Sequence, residues 1–430
     1  MSAPVIGFAG MTHLGVVSAA AALARGFGVV GFDQDETLVS RLQGGEPPVL
    51  EAGLPELLQK HAASATFTAR IEDLSRCDLV YISTDVPTDD TGASELGLIR
   101  KLIESVGRVV GKKAVVAVLC QVPPGFTRGL GLPKERLYCQ VETLVFGRAV
   151  ERALRPERII VGCADPELPL PAALRDFLAA FECPVLPMGY ESAELAKIAI
   201  NCCLVSSIST ANTLAELCEQ TGAVWSDIVP ALRLDPRIGK HSYLAPGLGI
   251  AGGNLERDLA TVITLAAQSG TDAGVVQAWL ANSRHRRDWA LRRIRQTVLH
   301  NNPGAVVAVW GLAYKENTRS VKNSPSLATI RQMPEVSLRL YDPVVPASVA
   351  NHPRAAAASD AMDAATGADA LMILTPWPQF KTIAPRKLRE VMRGRVVVDP
   401  YAVLNRGGAL AAGLEVHTLG RPPIRGAKPA

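Results

Sequence analysis

Short apolar runs without polar alternation recur along the chain, and helical or small-residue stretches separate them. Residues 4–10, PVIGFAG, predict a buried strand, residues 14–25 a helix of small side chains, and residues 28–33, GVVGFD, a second strand ending in an acid. Further strands are predicted at 78–83, 114–119 and 158–161. Apolar runs spaced by helices argue for a parallel sheet covered on both faces. The middle differs: a long helix over 191–222 and helices over 255–268 and 274–298 leave no room for strands. Strands return at 305–311, 337–342, 370–374 and 396–399, the second of them again ending in Asp. The pattern predicts an α/β chain: two Rossmann-like, doubly wound parallel-sheet domains joined by an all-α central region with one long helix. The expected divisions are 1–190, 191–300 and 301–420. Residues 421–430, with Arg421-Pro422-Pro423, have the composition of an unpacked tail.

Composition narrows the classes. The net charge of +4 is too small for a nucleic-acid footprint. No apolar run reaches the roughly 18 residues of a membrane helix. The first 24 residues are small and apolar but carry no Lys or Arg, so they read as strand, turn and helix and not as a leader. The eight cysteines form no CxxC and no Cys/His cluster, which predicts no metal site and thiols kept in a reducing cytoplasm.

The turn after the first strand is Gly10-Met11-Thr12-His13-Leu14-Gly15, a GxGxxG pattern with Thr12 in the middle position. Such a turn lets backbone approach a pyrophosphate seated on a helix N-terminus. Asp33 ends the second strand about 20 residues on, where an acid bonds an adenosine ribose hydroxyl. A carboxylate there favours NAD over NADP, because it repels a 2′-phosphate. Thr12 costs close approach and predicts an altered pyrophosphate pose.

With these residues in view, the chain resembles the UDP-glucose/GDP-mannose dehydrogenases over nearly its whole length. The resemblance is carried by Asp33-Gln34-Asp35, by residues 45–54 (GEPPVLEAGL), by Val122-Pro123-Pro124-Gly125-Phe126-Thr127 and by residues 194–201 (ELAKIAIN). Arg237-Ile238-Gly239, residues 311–315 (GLAYK) with Asn317-Thr318, Ser324-Pro325 and residues 375–380 (TPWPQF) extend it. It implies an NAD-binding domain, a helical core through which two copies form a homodimer, and a C-terminal nucleotide-sugar domain. It implies oxidation of a sugar C6 alcohol on a UDP-, GDP- or dTDP-linked sugar, serving polysaccharide biosynthesis, with no nucleic acid or membrane as partner. A lysine, an asparagine and an aspartate manage the alcohol step in this family, and a cysteine captures the aldehyde. The matching positions are Lys197 and Asn201, four apart on one helix face, and Asp258 as the base. Glu142 matches a glutamate implicated in water activation. The resemblance also implies cofactor contacts at Gly10, Thr12, Gly15, Asp33, Thr84 and Lys315. Substrate contacts are implied at Leu144, Arg237, Tyr243, Gly249 and Gly252, with Arg237 reaching toward a partner subunit.

One departure bears on the reaction. Asn254 stands where the family has its cysteine, and an amide nitrogen is not a nucleophile at neutral pH. No cysteine follows Cys218. Phe146 replaces a second glutamate of the family, and Cys120-Gln121 replace a Ser-Thr pair. The Pro246-Gly247 register resembles the GDP-mannose and N-acetyl-sugar branches. Three readings stand: a two-electron oxidation that ends at the aldehyde, a four-electron oxidation through an aldehyde hydrate, and a redox-silent nucleotide-sugar-binding or scaffold protein. Joint retention of Lys197, Asn201, Asp258, Asp33 and Glu142 favours dehydrogenase chemistry, because a silent protein has no physical need for that set.

Overall fold

The computed structural model describes residues 3–49, 51–86, 95–251 and 253–425. The chain divides into two units, residues 1–200 and 201–430.

In the first unit eight strands form one sheet: β1 Ile6–Ala9, β2 Val29–Phe32, β3 Ala65–Thr68, β4 Leu79–Ile82, β5 Val115–Val118, β6 Leu137–Val141, β7 Ile159–Cys163 and β8 Val185–Gly189. Their order is β3-β2-β1-β4-β5-β6-β7-β8. Among the described residues of this sheet only the β6–β7 pairing is antiparallel. Every residue of β1, β2, β4 and β5 is buried, as their unbroken apolar runs require. The sequence pattern misses β3, β6 and β8. Two of these, β3 and β8, are edge strands and partly exposed, and β3 has few large apolar residues. Pro187 lies within β8, where a missing N–H is tolerated because one side of the strand has no neighbour. The strand order reverses between β1 and β4, which opens a crevice at the carboxyl ends of those strands. The first helix, His13–Ala24, is apolar nearly all round and buried, its alanines allowing close contact with the sheet.

The long helix Tyr190–Thr221 confirms the expected central element. Its length and apolarity would suffice to cross a bilayer. Part of its surface is packed inside the chain. Tyr190 and Ala193 belong to the first unit's core, and Ala211, Ala215 and Cys218 pack with Trp225 and Leu244 in the second.

The second unit continues with helices Trp225–Leu234, Asn254–Ser269, Gly274–Arg287 and Trp289–Ile294. The single helix expected over 274–298 is broken at Asp288 and ends in a π-helical turn, Arg295–Leu299. Seven strands follow: β9 Val306–Trp310, β10 Ser337–Tyr341, β11 Ala355–Ala357, β12 Ala370–Ile373, β13 Val396–Val398, β14 Glu415–His417 and β15 Ile424–Arg425. Their order is β11-β10-β9-β12-β13-β14-β15. The helices and this sheet cluster as one unit, whereas the sequence pattern divides them near residue 300. The reason is shared packing. Trp289, Ala290, Leu291 and Ile294 enter the core of the second sheet. Glu219 of the long helix accepts Trp289 Nε1 at 2.8 Å and Gly420 N at 3.2 Å, and Trp225 N donates to Gly420 O at 2.8 Å. The tail expectation is corrected in part, since Ile424 pairs antiparallel with Val416. Residues 426–430 lie outside the described residues.

Candidate functional site

The dinucleotide turn is built by the switch in strand order. Gly10 has φ +98°, and a Cβ there would lie 2.6 Å from Thr84 Cβ. A Cβ on Gly15 would lie 1.9 Å from the Gly10 carbonyl oxygen. Both positions therefore demand glycine, and Gly10 packs directly against Thr84. Asp33 Oδ2 accepts Met11 N at 2.8 Å and Oδ1 accepts Asp35 N at 3.0 Å. Each oxygen keeps accepting capacity. Gly10, Asp33, Thr84 and Asp85 border a cavity of about 320 Å³ whose apolar wall includes Ile71, Leu98 and Leu102. A carboxylate at the rim of an apolar slot, beside a close-packed glycine turn, fits the adenosine half of NAD. Thr12 is the N-cap of the first helix, yet its hydroxyl makes no capping bond. It accepts Asp85 N at 2.8 Å instead.

A second group surrounds the first turns of the long helix. Lys197, Glu142, Glu194, Cys120 and Gln121 border a cavity of about 30 Å³. That volume admits a water molecule. Glu194 is buried, and its oxygens accept Gly125 N at 2.6 Å and Thr127 N at 2.8 Å. These bonds fix the Val122–Thr127 turn on the helix. Burial pushes the Glu194 carboxyl up, against those bonds, which hold it down. The sequence places Glu194 only inside a resembling segment; its anchoring role appears with the fold.

Glu51 and His13 are further residues the sequence leaves unassigned. His13 Nε2 lies 2.9 Å from Glu51 Oε1, and the His13 ring stacks on Phe146 with centroids 4.1 Å apart and planes at 11°. Glu51 also accepts Gly147 N at 2.8 Å and Ala149 N at 3.1 Å. A buried carboxylate thus ties the loop carrying Phe146 to the dinucleotide turn. No signal along the sequence joins positions so far apart.

In the second unit, Asp258 is buried and accepts Asn201 Nδ2 at 2.5 Å. Arg257 Nε lies 3.5 Å from its other oxygen. Asn201 and Asp258, each named separately as a site candidate, are thus hydrogen-bonded to one another. Lys197 stands four residues before Asn201 on the same helix. Asn254 is the first residue of its helix, is exposed, and follows Gly253 at φ +136°. Burial pushes the Cys139 thiol up to about 12 and raises those of Cys163, Cys202 and Cys218. These sulfurs stay protonated at neutral pH and supply no thiolate.

The remaining expected residues are more scattered. Leu144 borders a cavity of about 80 Å³ with Tyr81, Gln140 and Phe177. Arg237 is exposed and pairs with Asp235 at 2.6 Å. Tyr243 is exposed. Gly249 has a packing reason of its own: at φ +79° a Cβ would lie 2.4 Å from the Ser283 carbonyl oxygen. Gly252 lies outside the described residues. Lys315, expected at the cofactor, follows β9 in the second unit, its Nζ 5.6 Å from the Tyr314 ring. The residues bordering the Asp33 cavity all belong to the first unit.

Comparison with known proteins agrees with this division of labour. Models of the UDP-glucose/GDP-mannose dehydrogenase family match in three parts: its NAD binding domain over residues 5–178, its central domain over 191–284 and its UDP binding domain over 308–406. The UDP-glucose 6-dehydrogenase of Pseudomonas aeruginosa is 31% identical, the match covering 96% of each chain. UDP-glucose 6-dehydrogenase TuaD of Bacillus subtilis is 28% identical, over 98% of this chain and 94% of its own. A UDP-glucose dehydrogenase structure from Pyrobaculum islandicum superposes with TM-score 0.82 at 27% identity, covering 94% of this chain and 95% of that one. The UDP-D-ManNAc dehydrogenase of Pyrococcus horikoshii shares the fold with TM-score 0.84 at 22% identity, covering 97% of this chain and 99% of that one.

Proposed function

The chain belongs to the UDP-glucose/GDP-mannose dehydrogenase family and is an NAD-dependent oxidoreductase, and on that premise we propose that it oxidises the C6 alcohol of a UDP-linked hexose without a cysteine thioester. The observation that carries this reading is Asn254, exposed at the first position of its helix, where the family's thiol belongs. UDP-glucose is the first substrate to try, because the curated relatives bear that name and the C-terminal match is to a UDP binding domain. The Pro246-Gly247 hint toward other sugar branches is weaker than this.

NAD, when bound, supplies the hydride acceptor. Asp258, held by Asn201, receives the hydroxyl proton, and the Lys197 ammonium stabilises the negative charge that develops on oxygen. The first product is the aldehyde. A second oxidation needs water and not a thiol: the aldehyde adds water to give a gem-diol, which again carries a C–H bond and an O–H bond. The water-sized cavity bordered by Glu142 and Lys197 favours this four-electron route as the second reading. Exposed Leu214 and Leu217 on the long helix support a homodimer formed through it. Free cysteines without a CxxC pair support a cytoplasmic location.

NADH counted per sugar consumed, over a panel of UDP-, GDP- and dTDP-sugars, separates the readings. One NADH per sugar means an aldehyde product; two mean oxidation through the hydrate. None, with NAD and sugar nucleotide still bound, overturns the reading in favour of a redox-silent protein. Lys197→Ala should lower turnover by at least about a hundredfold. Unchanged turnover would remove Lys197 from the chemistry. Asn254→Cys tests the second step, since acid yield should rise if the missing thiol limits it.

A further inference from the structure

The N-terminus of a helix that follows a glycine turn attracts anions, because its first N–H groups are unsatisfied and carry partial positive charge. In this chain that position already holds an anion of the protein's own. His13 N, the first N–H of the helix His13–Ala24, donates to Asp85 Oδ2 at 3.2 Å. In return, Asp85 N donates to Thr12 Oγ1 at 2.8 Å. The loop after β1 and the loop after β4 are therefore tied twice, backbone of each to side chain of the other. The helix has no acidic residue in its own first turn, so Asp85 is the carboxylate that complements it from outside. Asp85 also borders the cavity that contains Asp33 and Gly10. It thus stands at the pyrophosphate end of the same slot.

We propose that Asp85 and Thr12 form a latch across the dinucleotide turn, which the cofactor must open to bind. A pyrophosphate brings two negative charges to N–H groups that a carboxylate already occupies. Like charges a few ångströms apart in a partly buried site repel strongly. The carboxylate must swing into solvent, where Asp85 is free to go because it is exposed. The latch lowers affinity for pyrophosphate-bearing ligands and keeps the turn ordered between cofactors. It makes Asp85 a determinant of cofactor affinity. Thr12, whose side chain is turned from the helix toward Asp85, acts as a positioning residue. The inference depends on NAD as the cofactor and not on which sugar is oxidised.

Calorimetric titration with ADP-ribose tests it without any turnover, so its outcome is separate from that of the sugar assay. Asp85→Asn keeps the shape of the side chain and removes its charge. It should bind ADP-ribose about tenfold more tightly than the parent at low salt, and Asp85→Lys more tightly still. The gain should shrink at high ionic strength, because salt screens like-charge repulsion. Thr12→Val, which cuts the second tie, should tighten binding by about threefold and serves if the Asp85 variants do not fold. Affinities within twofold of the parent in the variants that fold overturn the latch. So does a gain that is indifferent to salt, which would assign the effect to loop shape and not to charge.

Discussion

At the end of β1, Gly10 N donates to Phe32 O at 2.8 Å and Met11 N to Asp33 at 2.8 Å. At the end of β9, Gly311 N donates to Tyr341 O at 2.8 Å and Leu312 N to Asp342 at 2.7 Å. Both glycines have positive φ, +98° and +92°, and a threonine two residues beyond the neighbouring strand, Thr84 or Thr375, packs where a Cβ would be. The two turns differ in what is left on the aspartate. Asp342 is buried, and five donors saturate it: Leu312 N, Ala313 N and Trp377 Nε1 on one oxygen, Val344 N and Val345 N on the other. Asp33 is half-buried, accepts one bond on each oxygen and borders a cavity. After β1 the helix begins at once with His13; after β9 the next helix waits until Pro325. A strand ending in Asp after a glycine turn therefore marks a ribose site only where carboxylate lone pairs remain and a helix N-terminus is close. In the other place the same signature is a structural knot.

The contrast is most severely tested by Asp342→Ala. Five buried donors lose their acceptor, and stability of the second unit should fall by about 4 kcal/mol. Thermal melting reads this, and ADP-ribose affinity of the protein that remains folded should not change. Gly311→Ala and Gly10→Ala should each cost about 3 kcal/mol through strain and clash, with only Gly10→Ala also weakening ADP-ribose binding. Equal binding losses in both would erase the distinction between the turns. Asp33→Ala inverts the pattern. It should cost about 1 kcal/mol of stability but about 2 kcal/mol of NAD affinity, measured by calorimetry, because the lost hydrogen bonds to ribose involve a charged acceptor.

A gentler effect concerns Asp399, at the end of β13. Burial raises its carboxyl to about 6, against bonds from Val403 N and Leu404 N. The folded state then holds this proton more tightly than the unfolded state. Its stabilising contribution is full below about pH 4 and is lost as pH rises through about 6. Asp399→Asn should flatten that part of the stability profile in denaturant titrations between those limits. Smallest is Trp377→Phe, which removes one of the five donors to Asp342. A loss near 1 kcal/mol is expected; a loss as large as that of Asp342→Ala would mean that the indole, not the carboxylate, holds the knot.

The central strands of both sheets, the first helix and the long helix are legible along the chain because each buries a continuous apolar run or face. Edge strands are not, because half their surface meets water and their composition resembles that of loops, as in Ala355–Ala357. Gly10, Asp33, Asn201 and Asp258 are picked out as candidates by motif spacing and family resemblance; in the fold Gly10 and Asp33 border one cavity and Asn201 bonds Asp258. Glu194, Glu51, His13 and Asp85 are not, because their roles rest on contacts between residues 38 to 98 positions apart.

By itself, then, the sequence determined the alternation of strands and helices, the dinucleotide turn and the absence of a thiol at residue 254. These follow from local periodicity, backbone freedom at glycine and the chemistry of single side chains, none of which needs a partner. Only the tertiary structure decided which of two like aspartates keeps lone pairs to offer. It alone decided that Thr12 turns its hydroxyl to Asp85, and that the helical region joins the second sheet through Glu219, Trp289 and Gly420. A side chain's spare hydrogen-bonding capacity is what remains after the fold has used its share, and that remainder is a property of three-dimensional neighbours.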